Sequence, residues 1–423
     1  MNKAESNYLE TRLLAQGWKP SLTPEESDFV ILNTCSVRTT AEKRIYGRLG
    51  FFQNCKNNGS RFKVAVIGCM AERLKEQLKN NAPVVDYVIG TFEKISFAES
   101  INRYIDGIKT EPRKEDAYSF PPEYSGNSEY KALVPIMHGC DNFCSYCIVP
   151  YVRGREVSRN PEEIFCEIEA LAERGVKEIT LIGQNVNSYA FRKNQKNIDF
   201  SSLLEEISSK YSIPWIRFLT SHPKDIPDRL IDLIAERKNI CSHIHLPVQH
   251  GSNKILTLMN RKYSREYYLE LIKKIKERIP EVAITSDILI GFPGETEEDL
   301  RDTIDLLKEV EYQDAFTYYY NPIEGTKAFS FSNKIPHEEK IKRLSKIIEI
   351  QHTISTQINK KRIGSTAVAL VESISKKRKS ELLGRTERNE MVVFPGNVSR
   401  LGSFCSVKLT EYTGNTFRGE EAT

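Results

Sequence analysis

From residue 131 onward, short apolar runs alternate six times with stretches of helical periodicity. The helical stretches include residues 161–173, 265–279 and 297–310. The apolar runs predict strands at residues 132–137, 178–182, 215–220, 243–248, 282–290 and 315–320. This alternation is typical of a parallel sheet whose crossovers are helices. Because six units fall short of the eight in a closed TIM barrel, we predict a partial (βα)6 barrel over residues 131–359.

Two further regions flank this barrel. In residues 1–105, apolar runs at 29–33, 64–68 and 84–89 are each followed by a helical stretch, which predicts a Rossmann-like parallel-sheet domain. Residues 106–130 are polar, contain Pro, Ser and Gly, and have no period, as in a linker. A long helix is predicted near 337–360. Beyond it, β-rich runs at 366–373, 391–394 and 404–409 predict a small OB-like β-barrel in residues 360–423. The fold class is therefore α/β.

Composition limits the setting in which the chain works. Its 423 residues contain nine cysteines, and we find neither a transmembrane-length apolar run nor the apolar core of a signal peptide. We therefore expect a cytoplasmic protein in which cysteines bind metal or react rather than form disulfides. The formal net charge is only +4, yet residues 360–423 hold 12 Lys and Arg against 7 Asp and Glu. That excess predicts an anionic partner for the last segment.

Three cysteines, Cys140, Cys144 and Cys147, follow the first strand of the predicted barrel in a C-x3-C-x2-C pattern. Three thiolates can hold three irons of a 4Fe–4S cube and leave the fourth iron open to S-adenosylmethionine. A structural zinc site normally takes four ligands in two separated pairs, and no matching second pair follows. Three cysteines within eight residues are also a poor pattern for core packing. We therefore favour the iron–sulfur interpretation.

This motif resembles that of the radical S-adenosylmethionine enzymes, whose core is a partial (βα)6 barrel. Taken singly, the histidines and arginines of the remaining segments indicate only structural groups or solvated loops; their joint order resembles the methylthiotransferase family. The segments are residues 152–159, 217–223, 245–252, 259–261 and 287–295. The resemblance covers nearly the whole chain and includes a C-terminal RNA-binding TRAM domain. It implies that S-adenosylmethionine contacts Gly183, Gln184, Gln249 and Arg261.

Cys35 and Cys69 each follow a predicted strand of the N-terminal domain, where an α/β sheet places its ligands. Two isolated cysteines alone are weak evidence for a metal cluster. Their surroundings, Asn33-Thr-Cys-Ser-Val-Arg38 and Gly68-Cys-Met-Ala-Glu72, resemble two motifs of the family's auxiliary 4Fe–4S cluster, which carries the transferred sulfur. The family's first motif ends in Met-Asn, so we expect that Met1 is not the native start or that this is a truncated form, with the third cysteine upstream. Four cysteines match no motif and are expected to be structural: Cys55, Cys166, Cys241 and Cys405.

The expected substrate follows from residues 181–189, which resemble the branch that acts on N6-isopentenyladenosine at tRNA position 37. Other branches act on threonylcarbamoyladenosine in tRNA or on an aspartate of a small-subunit ribosomal protein. Ile323 departs from the family pattern, which has an arginine there. The implied reaction uses two molecules of S-adenosylmethionine. One methylates a sulfur of the auxiliary cluster, and the other yields a radical that takes hydrogen from adenine carbon 2.

The implied partners are the tRNA anticodon stem-loop and a small redox protein as electron donor, with no membrane and a monomeric state. Lys376-Lys-Arg-Lys379 is predicted to form a loop tip, either in contact with RNA or as a plain solvated turn. A different class of function stays open: a non-catalytic RNA-binding protein whose cysteines hold a structural metal.

Overall fold

The structure is a computed structural model that describes residues 1–36, 39–105, 118–121, 124, 129–193 and 196–422. Most of the predicted linker at 106–130 lies outside the described residues. The helices are α1 (Asn2–Ala15), α2 (Thr39–Asn57), α3 (Cys69–Asn81), α4 (Lys94–Ile105), α5 (Val149–Arg153), α6 (Pro161–Glu173), α7 (Phe200–Lys210), α8 (Asp228–Glu236), α9 (Asn253–Leu258), α10 (Arg265–Arg278), α11 (Glu297–Val310) and α12 (His337–Lys360).

The strands are β1 (Phe29–Thr34), β2 (Lys63–Gly68), β3 (Tyr87–Ile89), β4 (Lys131–Pro135), β5 (Met137–His138), β6 (Val157–Ser158), β7 (Glu178–Ile182), β8 (Ala190–Lys193), β9 (Lys196–Asp199), β10 (Trp215–Phe218), β11 (His243–His245), β12 (Ala283–Ile290), β13 (Asp314–Tyr319), β14 (Thr366–Ile374), β15 (Glu381–Thr386), β16 (Met391–Pro395), β17 (Phe404–Thr413) and β18 (Thr416–Glu421).

The N-terminal sheet is parallel, in the order β1-β2-β3, as predicted. One face packs on the core that includes Phe52 and Met70, and the other on a core that includes Leu9 of α1 and Phe97 of α4. The strand predicted at 84–89 is shorter, Tyr87–Ile89. The side chain of Asp86 is the reason: its carboxylate accepts the backbone N–H of Val64 at 2.8 Å, so regular pairing begins only after it.

Six parallel strands form the predicted partial barrel, as the sheets β4-β7-β10 and β11-β12-β13 joined by a bridge between Ile216 and Ile240. The strand predicted at 132–137 is divided after Pro135, and Met137–His138 pairs with β6 instead. The strands predicted at 215–220 and 243–248 end early, because Thr220 takes a left-handed φ of 70° and Pro247 has no N–H for the ladder. The sequence did not predict the hairpin of β8 and β9.

The C-terminal segment is a closed barrel of five strands, in the order β14-β15-β16-β18-β17, which confirms the predicted small β-barrel. It is fixed to the (βα)6 barrel by Arg217, whose Nε donates to Glu178 at 2.8 Å. The Nη atoms of Arg217 donate to the carbonyl oxygens of Thr386 and Glu387, at 2.7 and 2.8 Å. A buried arginine that serves both bodies holds the small barrel in a defined orientation.

The N-terminal domain is fixed to the barrel by a buried ion cluster. Glu5 of α1 accepts from Arg153 of α5 at 2.8 Å and from Lys94 of α4 at 2.5 Å. Arg153 also donates to the side-chain oxygen of Asn2 at 2.8 Å. Burial alone would raise the pKa of Glu5, but the two cations outweigh it and hold that pKa well below its usual range.

Within the described part of the chain, none of the helices has the length and apolar character needed to cross a membrane.

We predict that Glu5→Gln lowers the free energy of unfolding by about 3–5 kcal/mol, because two buried cations lose their anion. Since the folded pKa of Glu5 is depressed, its contribution is complete above about pH 4.5 and is lost as the pH falls through the folded value. Denaturant titrations at several pH values should therefore show the largest deficit near neutrality and a smaller one in acid. Glu10→Gln, on the exposed side of the same helix, should change little; an equal loss in both variants would contradict the assignment.

Candidate active site

The three cysteines of the C-x3-C-x2-C motif lie on the loop between β5 and α5, at the carboxyl end of the first barrel strands. This loop is held by the segment at 259–261. Ser145 donates its hydroxyl to the carbonyl of Leu258 at 2.7 Å, and Asn260 donates to the carbonyl of Phe143 at 2.9 Å. The Met259-Asn-Arg261 segment therefore sets the shape of the cysteine loop.

The sulfur atoms have hydrogen-bond donors beside them. Arg261 is buried and directs its Nη1 to Cys144 Sγ at 3.4 Å, and Asn142 directs its amide nitrogen to Cys140 Sγ at 3.5 Å. Burial, with the neighbouring Cys144 sulfur, raises the pKa of the Cys147 thiol to about 12; burial also raises that of Cys140 to about 11. These thiols would become thiolates only with cations beside them, and the irons of a cluster would supply those cations.

Metal geometry distinguishes a single ion from a cluster. Among the described residues, no three His, Cys, Asp or Glu side chains converge as one metal ion requires. In a cube each thiolate binds a different iron, so the ligands surround a volume instead of meeting at a point. The finding therefore does not count against a cluster on Cys140, Cys144 and Cys147.

Buried polar atoms without a protein partner collect in the loops at the same end of the barrel. They are Gln184 Oε1, Asn185 Oδ1, both amide atoms of Asn187, Ser221 Oγ, His222 Nε2 and Tyr320 Oη. Buried polar groups are normally satisfied, so such a concentration fits a polar ligand that completes their hydrogen bonds. Burial and the nearby Arg261 lower the pKa of His222 to about 2, so the ring is neutral at physiological pH. The residues present fit the amino, carboxylate and ribose groups of S-adenosylmethionine.

The four residues expected to contact S-adenosylmethionine lie on these loops. At Gly183 a side chain would collide with Met137, so the close packing of this backbone against Met137 requires glycine. Gln249 has a left-handed φ of 73°. It pairs with β12, because its backbone N–H donates to the carbonyl of Asp287 at 2.9 Å. Gln184 has an unpartnered amide oxygen, and Arg261 lies against Cys144.

Cys35 and Cys69 follow neighbouring strands, because Thr34 of β1 pairs with Gly68 of β2. Cys69 is buried, and it packs against Ile148 and Val152 and beside the half-buried Ile323. Val152 belongs to α5, the helix that begins directly after the Cys147 loop. The structure therefore brings Cys69 of the N-terminal domain against the helix that follows the barrel cysteines.

Cys166 and Arg153 lie where the sequence analysis did not expect them. Cys55, Cys241 and Cys405 are buried, as expected of structural residues, but Cys166 is exposed on α6 and fills no core. Arg153, which a solvated loop would expose, is buried in the ion cluster with Glu5. No local signal could have identified that pair, since 148 positions separate the two residues.

Family models match most of the chain. Residues 134–307 match the radical SAM superfamily, residues 1–90 match the uncharacterized protein family UPF0004, and residues 360–420 match the TRAM domain. A solved structure of the radical S-adenosylmethionine methyltransferase TsrM from Kitasatospora setae is similar in fold, with a TM-score of 0.60 and 14% identity. That similarity covers 77% of this chain and 73% of the other.

Three curated relatives extend over nearly the whole length, and each is named tRNA-2-methylthio-N(6)-dimethylallyladenosine synthase. The protein of Treponema denticola is 47% identical over 99% of this chain and 97% of its own. That of Treponema pallidum is 46% identical over 99% and 96%. That of Clostridium botulinum is 42% identical over 100% and 94%. The chain belongs to this family of tRNA methylthiotransferases, enzymes of the radical S-adenosylmethionine class.

Proposed function

We propose that this enzyme installs a methylthio group on carbon 2 of N6-isopentenyladenosine at tRNA position 37. The observation that supports the proposal is the packing of Cys69 on α5, the helix that begins directly after the Cys147 loop. A sulfur source and a radical source must both reach the same carbon, and this arrangement serves that requirement. The names of the full-length relatives support the substrate.

Cys140, Cys144 and Cys147 would hold the radical 4Fe–4S cluster, and Cys35 and Cys69 would supply ligands to the auxiliary cluster. When bound, these groups would supply an electron to S-adenosylmethionine and the sulfur for transfer. The protein positions them and excludes water. Arg261 would stabilise negative charge on Cys144, and Gly183 lets its loop pack closely against Met137.

The TRAM domain would contact the phosphates of the anticodon stem-loop. The predicted loop tip is confirmed between β14 and β15, where Lys376, Lys377 and Lys379 are exposed. Within the described part of the chain these lysines form no ion pair, whereas Arg378 pairs with Glu381 at 3.3 Å. We also propose that a small redox protein donates the electron. The enzyme would be monomeric and would act in the cytoplasm.

Two other candidate functions give different experimental results. A methylthiotransferase of another branch would modify threonylcarbamoyladenosine or a ribosomal aspartate. A non-catalytic RNA-binding protein would purify anaerobically as a colourless, zinc-containing protein, whereas the enzyme should be brown and bleach with strong reductant.

Replacing any one of Cys140, Cys144 or Cys147 with Ala should abolish both reductive cleavage of S-adenosylmethionine and product formation, because two thiolates hold the open-iron cube poorly. Chromatographic assay of 5′-deoxyadenosine measures the first and nucleoside mass spectrometry the second. Cys166→Ala, at an exposed position on α6, is the matched control and should retain both. Wild-type cleavage in all three single variants would exclude the radical assignment.

Deleting the gene in its native host should leave isopentenyladenosine in tRNA without its methylthio group, and restoring the gene should return it. Nucleoside mass spectrometry of total tRNA measures this directly. If tRNA were unchanged and the ribosomal protein lost its methylthio-aspartate, or if only threonylcarbamoyladenosine were affected, the branch assignment would be wrong.

Changing Lys376, Lys377 and Lys379 together to Ala should weaken stem-loop binding and flatten its salt dependence. Each lost phosphate contact lowers the log–log slope by roughly 0.7–0.9. Fluorescence anisotropy at several salt concentrations gives the slope. The control changes three exposed lysines on outer helices, Lys308, Lys342 and Lys346. Equal slopes in the loop variant and the wild type would place the phosphate contacts elsewhere.

A further inference from the structure

An open cavity of about 720 Å³ lies between the inner side of the (βα)6 barrel and the TRAM domain. We call it the interdomain cavity; Leu219, Phe316 and Tyr318 line it from the barrel, and Met391 and Tyr412 from the TRAM domain. Its volume lies within the usual range of roughly 300–1,000 Å³ for small-molecule sites. Because Arg217 fixes the two bodies together, the cavity has a defined shape.

Large apolar side chains are left open inside this cavity. Leu219 is 36% exposed and Phe316 is 51% exposed, although both lie on strands or strand ends of the barrel. The rings of Phe316 and His245 lie edge to face, with centroids 5.9 Å apart, and Met391 of the same lining is half-buried. Exposed apolar surface in a concave site is stabilised by burial against an apolar ligand group.

The cavity begins next to the residues expected to contact S-adenosylmethionine. Thr220 lines it, and its hydroxyl donates to the carbonyl of Gly183 at 2.8 Å. Asp287 also lines it, and its carbonyl accepts from the N–H of Gln249 at 2.9 Å. The cavity is therefore adjacent to the residues expected to contact S-adenosylmethionine.

The charges of the lining disfavour an anionic ligand. Asp287 and Asp314 are both part of it, and within the described residues Asp314 forms no ion pair. The cations of the lining are already engaged: Arg385 pairs with Glu372 at 3.1 Å and Arg388 with Glu390 at 3.2 Å. Asp287 already lies 3.5 Å from His245 Nε2, so a carboxylate entering the cavity would meet the unpaired charge of Asp314, whereas an alkyl group would not.

We infer that the interdomain cavity binds the isopentenyl group on N6 of the target adenine, and that Met391 and Tyr412 give the TRAM domain a direct part in substrate selection. The N6 substituent leaves the ring at a different corner from carbon 2, so it can occupy the cavity while carbon 2 faces the reacting groups. The Asp314 carboxylate would disfavour the carboxylate of threonylcarbamoyladenosine. This inference rests on the proposed function.

The experiment measures dissociation constants of the apoprotein for two anticodon stem-loop RNAs that differ only in the isopentenyl group. One methylene in a fitted pocket contributes roughly tenfold or more, so the wild type should prefer the isopentenyl RNA by at least about tenfold. Phe316→Ala and Met391→Ala should each reduce that preference to about threefold or less, with unchanged affinity for the unmodified RNA. Phe51→Ala, a similarly exposed phenylalanine on α2, is the matched control and should retain the full preference.

The outcomes separate the inference from the function on which it rests. Far-UV circular dichroism confirms that each variant is folded, and because the two test residues lie in different domains, one unfolded variant leaves the other informative. An unchanged preference in a folded Phe316→Ala or Met391→Ala variant would overturn the inference. If deleting the gene leaves the methylthio group on isopentenyladenosine in tRNA, the proposed function itself fails.

Discussion

The packing of Cys69 against helix α5 is the contact on which the proposed chemistry depends. It exists because the N-terminal domain is held to the barrel by the Glu5–Arg153–Lys94 cluster, in which a single carboxylate serves two buried cations. A buried pair of this kind costs solvation, so it is weak evidence for stability. It specifies one docking geometry, however, and a reaction that joins two cysteine sites requires one geometry.

The orientation of the TRAM domain relative to the barrel is fixed by a different buried arginine. Arg217 connects Glu178 to backbone carbonyls of the TRAM domain, and an open cavity lies between the two bodies. One buried arginine thus aligns the two cysteine sets, and another fixes the body that contributes Met391 and Tyr412. Each junction contains a satisfied buried charge, which holds the three domains in one arrangement.

Sequence periodicity predicted the barrel strands because apolar runs and helix caps are local signals; the capping box of Thr296 and Asp299 at α11 is an example. Periodicity did not predict those strand ends and strands that depend on tertiary contacts. Asp86 shortens β3 by accepting the Val64 N–H, and β18 was missed because its polar residues pair across strands, as Arg418 does with Glu381 at 2.5 Å. At the site, the cysteine spacing was visible, but the burial of Arg153 and the contact of Cys69 with α5 arise only in the folded chain.

The central claim is that both cysteine sets are close enough to act together across α5. Electron paramagnetic resonance of the reduced enzyme, purified anaerobically from its native host, tests it directly, since two nearby paramagnetic clusters couple magnetically. We predict a broadened, coupled spectrum for the wild type that becomes the simple signal of one cluster in Cys69→Ala. A wild-type spectrum without coupling, or one that Cys69→Ala leaves unchanged, would contradict the account.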